Sequence, residues 1–388
     1  MSKYQCFYKL KKDSIDDIIY ISYKIKISTK ESFFRISICI NIIACIRKKT
    51  SNMTKLTLIE KETNNKKEAV KFSNMVVNLA EQGKIKFSDS KLDYIQDCSS
   101  WNRYLSDEQK EKHKLYMSNS CKDRFCPVCS KRKSRKDILK TLAIVNYLHD
   151  EFNYSFIFLT LTVPNVKSSE LSNSIEHIRD SFKRFYQSKE FSKINKGYMR
   201  KLEVTYNKKR DDYHPHLHVL IAVNRSYFTS RDYLSHKRIL DLWRRSTRDP
   251  SITQVNIQRI YSKGQSLSNS LKALNGAVLE IGKYMNKTSD YLHSEEVLLT
   301  FITNLKGKRY YDYSGVFRDA NKLLEQGKLE RFKLADETEY VYLLEAVWNG
   351  LDYEKEYQRI EDLPAGLRED INEFMKNSTT IEDKCIED

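Results

Sequence analysis

Three of the chain's eight histidines fall within the segment "YHPHLHVLIAV", Tyr213–Val223. His214, His216 and His218 occupy alternate positions, which is the side-chain period of a β-strand. The three imidazoles are therefore expected on one face of a strand, where two neighbours lie close enough to share a metal ion. The alternative is a cluster of hydrogen-bonded core histidines.

A carboxylate is expected beside these histidines. In the preceding strand, Met199–Asn207, Glu203 alternates with apolar residues, and the polar insert at 208–213 is typical of a hairpin loop. Glu203 then lies on the polar face of the neighbouring strand. Two imidazoles and one carboxylate suit Mn²⁺ or Mg²⁺ acting on a phosphate. Otherwise Glu203 is an ordinary exposed strand carboxylate.

A further set of reactive side chains follows in "LEIGKYMNKTSDYL". Glu280, Tyr284 and Lys287 are spaced by four and three residues, so a helix presents them on one face. A phenol needs a neighbouring cation to ionise at neutral pH, and a carboxylate can act as a general base towards water. Because the chain has 25 tyrosines, a surface pair without function is the alternative.

Four cysteines form a second candidate metal site. Cys121, Cys126 and Cys129, with Cys98 upstream, supply enough thiolates for a closed tetrahedral Zn²⁺ site. His113 is the substitute ligand if Cys98 faces away. The alternative is a set of free core cysteines, which the polar surroundings disfavour.

The charge of the chain points to a polyanionic partner. Its net charge is +16, and a basic run, "KRKSRK", directly follows the cysteines. We predict DNA contacts from this run and from one lysine beside Tyr284; the alternative for the run is a solvated helix face. The residues are Lys131, Arg132, Lys133, Arg135, Lys136 and Lys283.

The elements that must position these residues indicate an α+β fold with an antiparallel sheet. Apolar patterns predict strands at Ser155–Val163, Met199–Asn207 and His214–Val223. Helical periodicity predicts helices over Ser134–Phe152 and from Leu171 to Phe185, and further helices at about 231–245 and 267–291. The most apolar segment, Phe33–Ile46, is too short and too polar to cross a membrane.

Five segments, in order, resemble those of rolling-circle replication initiators of small bacterial plasmids, which are HUH endonucleases. Three of them are "FLTLTVPN", "HPHLHVL" and "EIGKYMNKTSDY", and "CKDRFCPVCSKRK" and "LKGKRYYDYSGVF" flank this core. The similarity covers roughly Cys98 to Arg318. It implies a central antiparallel sheet flanked by helices, with the histidine strand in the middle of the sheet.

The resemblance also implies roles for individual residues. By motif position, His216 and His218 are the metal pair, with His214 near the metal or as an alternative ligand. Tyr284 is the nucleophile that forms a 5′-phosphotyrosine and leaves a 3′-OH primer, and Glu280 activates water at termination. Tyr291 is either a second nucleophile or, as we favour, a structural residue.

The expected organisation follows from these assignments. We predict a dispensable extension at 1–52, an N-terminal segment at 53–97, a zinc knuckle at 98–136, the nicking domain at 137–318 and a helical, acidic C-terminal region at 319–388. The expected partners are plasmid origin DNA, with a hairpin and a single-stranded nick site, and host helicase and DNA polymerase. The cysteine pattern favours reduced thiols in a cytoplasm, and the resemblance implies that this is the cytoplasm of a bacterial host.

Other activities are compatible with parts of this pattern. A conjugative relaxase or a single-strand transposase would share the histidine pair and a tyrosine, although the Glu280–Tyr284 spacing and the cysteines favour the plasmid initiator. A zinc-dependent regulator that binds nucleic acid without cleaving it is the alternative from another class.

Overall fold

The structure is a computed structural model that describes residues 58–260, 278, 281–282, 288–333 and 336–377. The elements up to the middle of the chain are α1 (Leu58–Glu81), α2 (Asp89–Gln96), β1 (Trp101–Ser106), β2 (His113–Ser118), α3 (Pro127–Phe152), β3 (Tyr154–Thr162), α4 (Leu171–Gln187), α5 (Lys189–Ile194), β4 (Asn195–Asn207) and β5 (Asp212–Asn224). Those that follow are α6 (His236–Thr247), β6 (Asn256–Arg259), α7 (Thr288–Tyr291), α8 (Glu295–Leu305), β7 (Tyr311–Gly315), α9 (Val316–Glu325), β8 (Tyr342–Trp348), β9 (Tyr353–Arg359) and α10 (Ala365–Asn377).

The central sheet of the described chain has the strand order β6-β3-β5-β4-β7, and its pairs are antiparallel. The histidine strand, β5, is the middle strand, which confirms the expected α+β fold and the position that the resemblance implied. The turn between β4 and β5 falls within the predicted loop. Asp211 there adopts the left-handed backbone conformation that a tight connection needs.

The two faces of β5 differ as the alternation predicts. Leu217, Val219 and Ile221 are buried in a core shared with α4 and α6. The opposite face carries the histidines at one end and Leu220 and Ala222 at the other, where they pack under α3 and α9. The apolar half of this face anchors the strand, and the polar half remains available for chemistry.

The helix that follows the cysteines begins earlier than its apolar period predicts. Helix α3 starts at Pro127, with Cys126 as the capping residue, because proline is well suited to the first turn, where its missing N–H costs nothing. The helix expected at 231–245 is α6, whose Ser235 side chain accepts a hydrogen bond from the Arg238 N–H. The helix expected at 267–291 lies mostly outside the described residues.

A second sheet corrects the expectation of a helical C-terminal region. Helices α9 and α10 are present, but the chain between them forms the hairpin β8–β9, which pairs with β1 in the order β2-β1-β8-β9. The hairpin buries Leu344 and Ala346 against Tyr104 and the start of α1. This pairing joins segments about 240 residues apart, so local periodicity could not predict it.

In the described part of the chain, no helix is long and apolar enough to cross a membrane.

Candidate metal centres

Glu203, His216 and His218 converge on the polar face of the central sheet. Glu203 lies directly opposite His216 in the β4–β5 ladder. Its Oε2 atom is 3.4 Å from Nε2 of His216 and 2.9 Å from Nε2 of His218. All three side chains are buried, and their ligand atoms lie within 4.8 Å of one another. This is an arrangement in which one cation can bind all three groups.

The remaining ring nitrogens hold the two imidazoles in position. Nδ1 of His216 is 3.2 Å from the main-chain oxygen of His214, and Nδ1 of His218 is 3.3 Å from Oγ1 of Thr160. The ring of His218 also stacks on Phe158. These contacts at Nδ1 fix the orientation of both rings and aim each Nε2 at Glu203, which is the usual outer support of a metal-binding histidine.

The electrostatics of the site favour an ionised carboxylate. Burial by itself raises the pKa of Glu203, but hydrogen bonds from His216 and His218 and the nearby charge of Lys201 hold it well below its usual value. Burial also lowers the pKa of His218. The site therefore offers an ionised carboxylate beside two imidazole nitrogens, a donor set that fits a divalent cation such as Mn²⁺ or Mg²⁺.

His214 lies one strand step further out. It is half-buried, and its ring centre is 5.3 Å from that of His216. It is not among the three residues whose ligand atoms converge. Its main-chain oxygen supports His216, so it contributes to the site through the backbone.

The predicted tyrosine motif is only partly visible. Glu280, Lys283, Tyr284 and Lys287 lie outside the described residues. Three residues before Tyr284, the main-chain oxygen of Ile281 accepts a hydrogen bond of 2.9 Å from the Tyr311 hydroxyl.

Tyr311 ties this contact to the metal-binding face. Tyr311, in β7, lies opposite Lys201 of β4. Lys201 is two residues before Glu203 and therefore shares its face of the sheet. Gly282 approaches α3 so closely that a Cβ atom there would collide with the Ile138 side chain. The chain on one side of Tyr284 is therefore anchored on the face that carries the three ligands.

Tyr291 is buried, and its hydroxyl donates a 2.9 Å hydrogen bond to the main-chain oxygen of Phe125. This environment agrees with the structural role that the sequence favoured over a second nucleophile.

The four cysteines also come together. The Sγ atom of Cys98 is 3.6 Å from that of Cys126 and 3.5 Å from that of Cys129, and Cys121 lies 3.7 Å from Cys129. A tetrahedron with Zn–S bonds of about 2.3 Å has sulphur atoms about 3.8 Å apart. The separations match this geometry and exceed by far a disulfide bond of about 2.05 Å.

Separate elements supply these thiols. Cys98 follows α2, Cys121 follows β2, and Cys126 and Cys129 occupy the cap and first turn of α3. His113 lies outside this cluster, with Nε2 3.2 Å from the Tyr357 hydroxyl, and Cys98 is the fourth thiol.

The basic run after the cysteines divides into inward and outward side chains. Arg132 and Arg135 contact opposite oxygens of the buried Glu62 of α1, at 3.1 Å and 3.4 Å. Lys131 pairs with Glu68 at 2.9 Å. Lys133 and Lys136 are exposed. Within this run, these two lysines are therefore the ones whose side chains reach solvent, with Lys133 3.0 Å from Asp137 on the next helical turn.

Sequence reasoning did not assign site roles to two residues that the structure places beside the histidines. Lys201 is fully buried, opposite His218 in the ladder, and Thr160 contacts the ring of His218. The alternation in β4 that singled out Glu203 placed Lys201 on the same face, and this was the available signal.

Comparisons with known proteins agree with the motifs. A protein family described as "Replication protein" matches residues 112–353. A protein named "Protein rep" from Staphylococcus aureus is 47% identical over 205 residues, which cover 53% of this chain and 85% of that protein. Another of the same name, from Streptococcus pneumoniae serotype 2, is 30% identical over 273 residues, 68% of this chain and 83% of that protein. No solved structure matches the chain.

Proposed function

Because this chain belongs to the replication-protein family, we propose that it initiates plasmid replication by nicking one strand of the origin DNA. The observation that carries the proposal is the convergence of Nε2 of His216 and Nε2 of His218 on one oxygen of Glu203. These groups lie on adjacent strands at the centre of the sheet, where rigid backbone fixes their separation.

Glu203, His216 and His218 are the residues that would hold Mn²⁺ or Mg²⁺. Bound there, the cation supplies positive charge that polarises the scissile phosphate. Thr160 and the His214 main chain keep both imidazoles oriented. Lys201 adds a fixed positive charge beside Glu203 and favours its ionised form.

Tyr284 is the proposed nucleophile. Its phenolic oxygen attacks the scissile phosphorus and the bond to the 3′ oxygen breaks, so the products are a 5′-phosphotyrosine and a 3′-OH that takes up a proton. The ammonium of Lys287 would favour the phenolate. The free 3′-OH then primes synthesis by a host DNA polymerase, with a host helicase opening the duplex.

Glu280 is the proposed base at termination. It takes a proton from the water that attacks the phosphotyrosine, which releases Tyr284 and leaves a 5′ phosphate. Alternatively, a DNA 3′-OH attacks the same phosphorus and rejoins the strand. Neither reaction requires ATP, because the phosphotyrosine retains the phosphodiester bond energy.

The four-cysteine cluster is proposed to bind structural Zn²⁺. Closed four-thiolate coordination leaves no position for substrate, so its role is to hold the start of α3 against β1 and β2. That anchor would present Lys133 and Lys136 to origin DNA.

The deciding experiment incubates the full chain with supercoiled DNA that carries its own plasmid origin, with Mn²⁺. The expected product is an open circle with protein attached to the 5′ end. Tyr284→Phe should abolish the adduct while DNA binding stays within about twofold, because only the attacking oxygen is removed.

Tyr291→Phe is the matched control and should still form the adduct. Intact DNA with the wild-type protein would contradict the proposal and favour a non-cleaving regulator. An adduct that persists in Tyr284→Phe would place the nucleophile at another residue.

A further inference from the structure

A groove opens beside the proposed metal ligands, and all three motifs contribute to its lining. It has a volume of about 670 Å³, within the range of ligand-binding pockets. Its lining combines residues from the end of the first motif, the start of the second and the end of the third with the basic turn between β4 and β5. They include Asn165, His214, Lys208, Lys209, Asp290 and His293.

The groove continues the row of histidines. His214, at its inner end, lies next to His216, whose ring centre is 5.3 Å away. Thr205, opposite His214 on β4, also lines the groove. Consider a DNA strand whose scissile phosphate is held by a cation at Glu203 and His216. If this DNA runs along β5 towards the β4–β5 turn, it extends into the groove.

The side chains of the groove suit unpaired nucleic acid. Lys208 and Lys209 are exposed, and neither forms an ion pair with another described residue. Arg210 beside them is paired with Asp212 at 2.7 Å, which leaves the two lysines as the side chains for phosphates. His293 is exposed, with its ring centre 5.7 Å from that of Tyr206, and offers an aromatic surface to a base.

The outer wall is firmly attached to the sheet. The Asp290 carboxylate accepts a hydrogen bond of 3.3 Å from the main-chain N–H of Tyr206, at the end of β4. This contact couples the end of the tyrosine motif to the strand that leads into the basic turn. Asp290 also places a carboxylate acceptor in the groove, suited to the amino edge of cytosine.

We propose that this groove binds unpaired nucleotides of the DNA strand next to the scissile phosphate, with Lys208 and Lys209 on phosphates and His293 against a base. The inference rests on the proposed nicking function for its position relative to the cleaved bond. It adds a binding site to that function and assigns the β4–β5 turn to substrate recognition.

The test measures binding of a fluorescein-labelled oligothymidylate of about 16 nucleotides, the upper end of single-strand site sizes for one domain. The full chain is compared with the double variant Lys208→Ala/Lys209→Ala. We expect about tenfold weaker binding near 100 mM salt and a salt slope reduced by about 1.4, because each phosphate contact on a single strand contributes about 0.7.

The matched control is Lys84→Ala/Lys86→Ala, which removes the same charge from two exposed lysines elsewhere. It should weaken binding by less than about twofold. Equal effects of the two double variants would overturn the proposal, because the loss would then reflect net charge alone.

The base contact has its own test. His293→Ala should weaken binding of oligothymidylate about fivefold and leave binding of an abasic oligonucleotide of the same length unchanged. His177→Ala, at an exposed histidine of α4, is the control and should change neither. Equal losses on both oligonucleotides with His293→Ala would contradict base stacking.

The position next to the nick is tested with the origin oligonucleotide. Lys208→Ala/Lys209→Ala should raise KM for nicking several-fold and leave kcat nearly unchanged, whereas an unchanged KM would overturn the placement. Groove binding without any covalent adduct would contradict the proposed nicking function and leave the groove as a binding site. If the protein forms the covalent adduct but Lys208→Ala/Lys209→Ala and Lys84→Ala/Lys86→Ala have the same KM for nicking, the groove proposal is contradicted and the nicking function stands.

Discussion

Glu203 lies directly opposite His216 across the β4–β5 ladder, and a single oxygen of Glu203 contacts both His216 and His218. Adjacent strands of a sheet hold such a pair at a fixed separation without help from loops. The geometry of the proposed metal site is therefore a property of strand register, and substitutions on this face test it directly.

Glu203→Gln should remove the carboxylate ligand while preserving the shape of the side chain. We expect the rate of Mn²⁺-dependent nicking to fall about 100-fold or more, because charge stabilisation by a bound metal is worth several kcal/mol. The measurement is the nicking rate as a function of Mn²⁺ concentration. Glu356→Gln, at an exposed position of β9, is the control and should nick like wild type. If Glu203→Gln shows the Mn²⁺ dependence of wild type, Glu203 is not a metal ligand.

Thr160→Val should weaken the metal site from its outer support. The change removes the hydroxyl beside Nδ1 of His218 and keeps a β-branched side chain in β3. Mn²⁺ affinity should fall about 10- to 100-fold, as measured by calorimetry. Thr162→Val, one strand step away, should have a smaller effect; if both variants bind Mn²⁺ equally well, the hydroxyl has no orienting role.

Cys129→Ser should remove one ligand from the four-thiol cluster. We expect loss of about one equivalent of zinc per chain by elemental analysis and a lower free energy of unfolding in urea, because metal binding is coupled to folding. His113→Gln, at the residue whose ring contacts the Tyr357 hydroxyl instead of the thiols, should retain the metal. Purified wild-type protein without zinc, and with unchanged stability after chelation, would argue against a structural metal.

The ion pairs of Glu62 predict a pH dependence of stability. Burial raises the pKa of this carboxyl, but Arg132 and Arg135 outweigh it and hold the pKa below its ordinary value. The stabilisation is therefore complete above the unfolded pKa, about 4.3, and is lost as pH falls through the folded value. Glu62→Gln should cost about 3–5 kcal/mol at pH 7, since it leaves two arginines near an uncharged partner.

Urea unfolding of wild type and Glu62→Gln between neutral and acid pH measures this difference. The difference in free energy of unfolding between wild type and Glu62→Gln should be constant near neutral pH and should become smaller below the unfolded pKa of the Glu62 carboxyl. Any zinc released at low pH affects both proteins, so the comparison isolates Glu62. A gap that widens on acidification would contradict the ion-pair explanation.

The division of the basic run predicts two separable effects. Lys133→Ala/Lys136→Ala should weaken binding of origin DNA and reduce its salt dependence, with little change in unfolding. Arg135→Ala should instead lower the free energy of unfolding by a few kcal/mol, because Glu62 loses a buried partner. Calorimetry and salt-dependent binding on the same variants distinguish the two; a purely DNA-binding defect in Arg135→Ala would contradict the assignment.

The parts of the site that the sequence predicted depend on short-range periodicity. Alternation in β5 placed the histidines on one face, the hairpin placed Glu203 beside them, and cysteine spacing indicated a four-thiol cluster. The parts that it missed depend on distant partners. Glu62 lies 70 residues before Arg132, and β8 lies about 240 residues after β1, so neither contact leaves a local signal.

Strand β1 has a consequence for biosynthesis. It pairs on one side with β2, a few residues away, and on the other with β8, while Tyr353 of β9 donates a 2.6 Å hydrogen bond to the main chain of Ser99, next to Cys98. A nascent chain leaving the ribosome can form the first pairing early but leaves the second edge of β1 open until residues 342–359 emerge. A message truncated before that point would yield a polypeptide with an unprotected strand edge, prone to self-association and degradation.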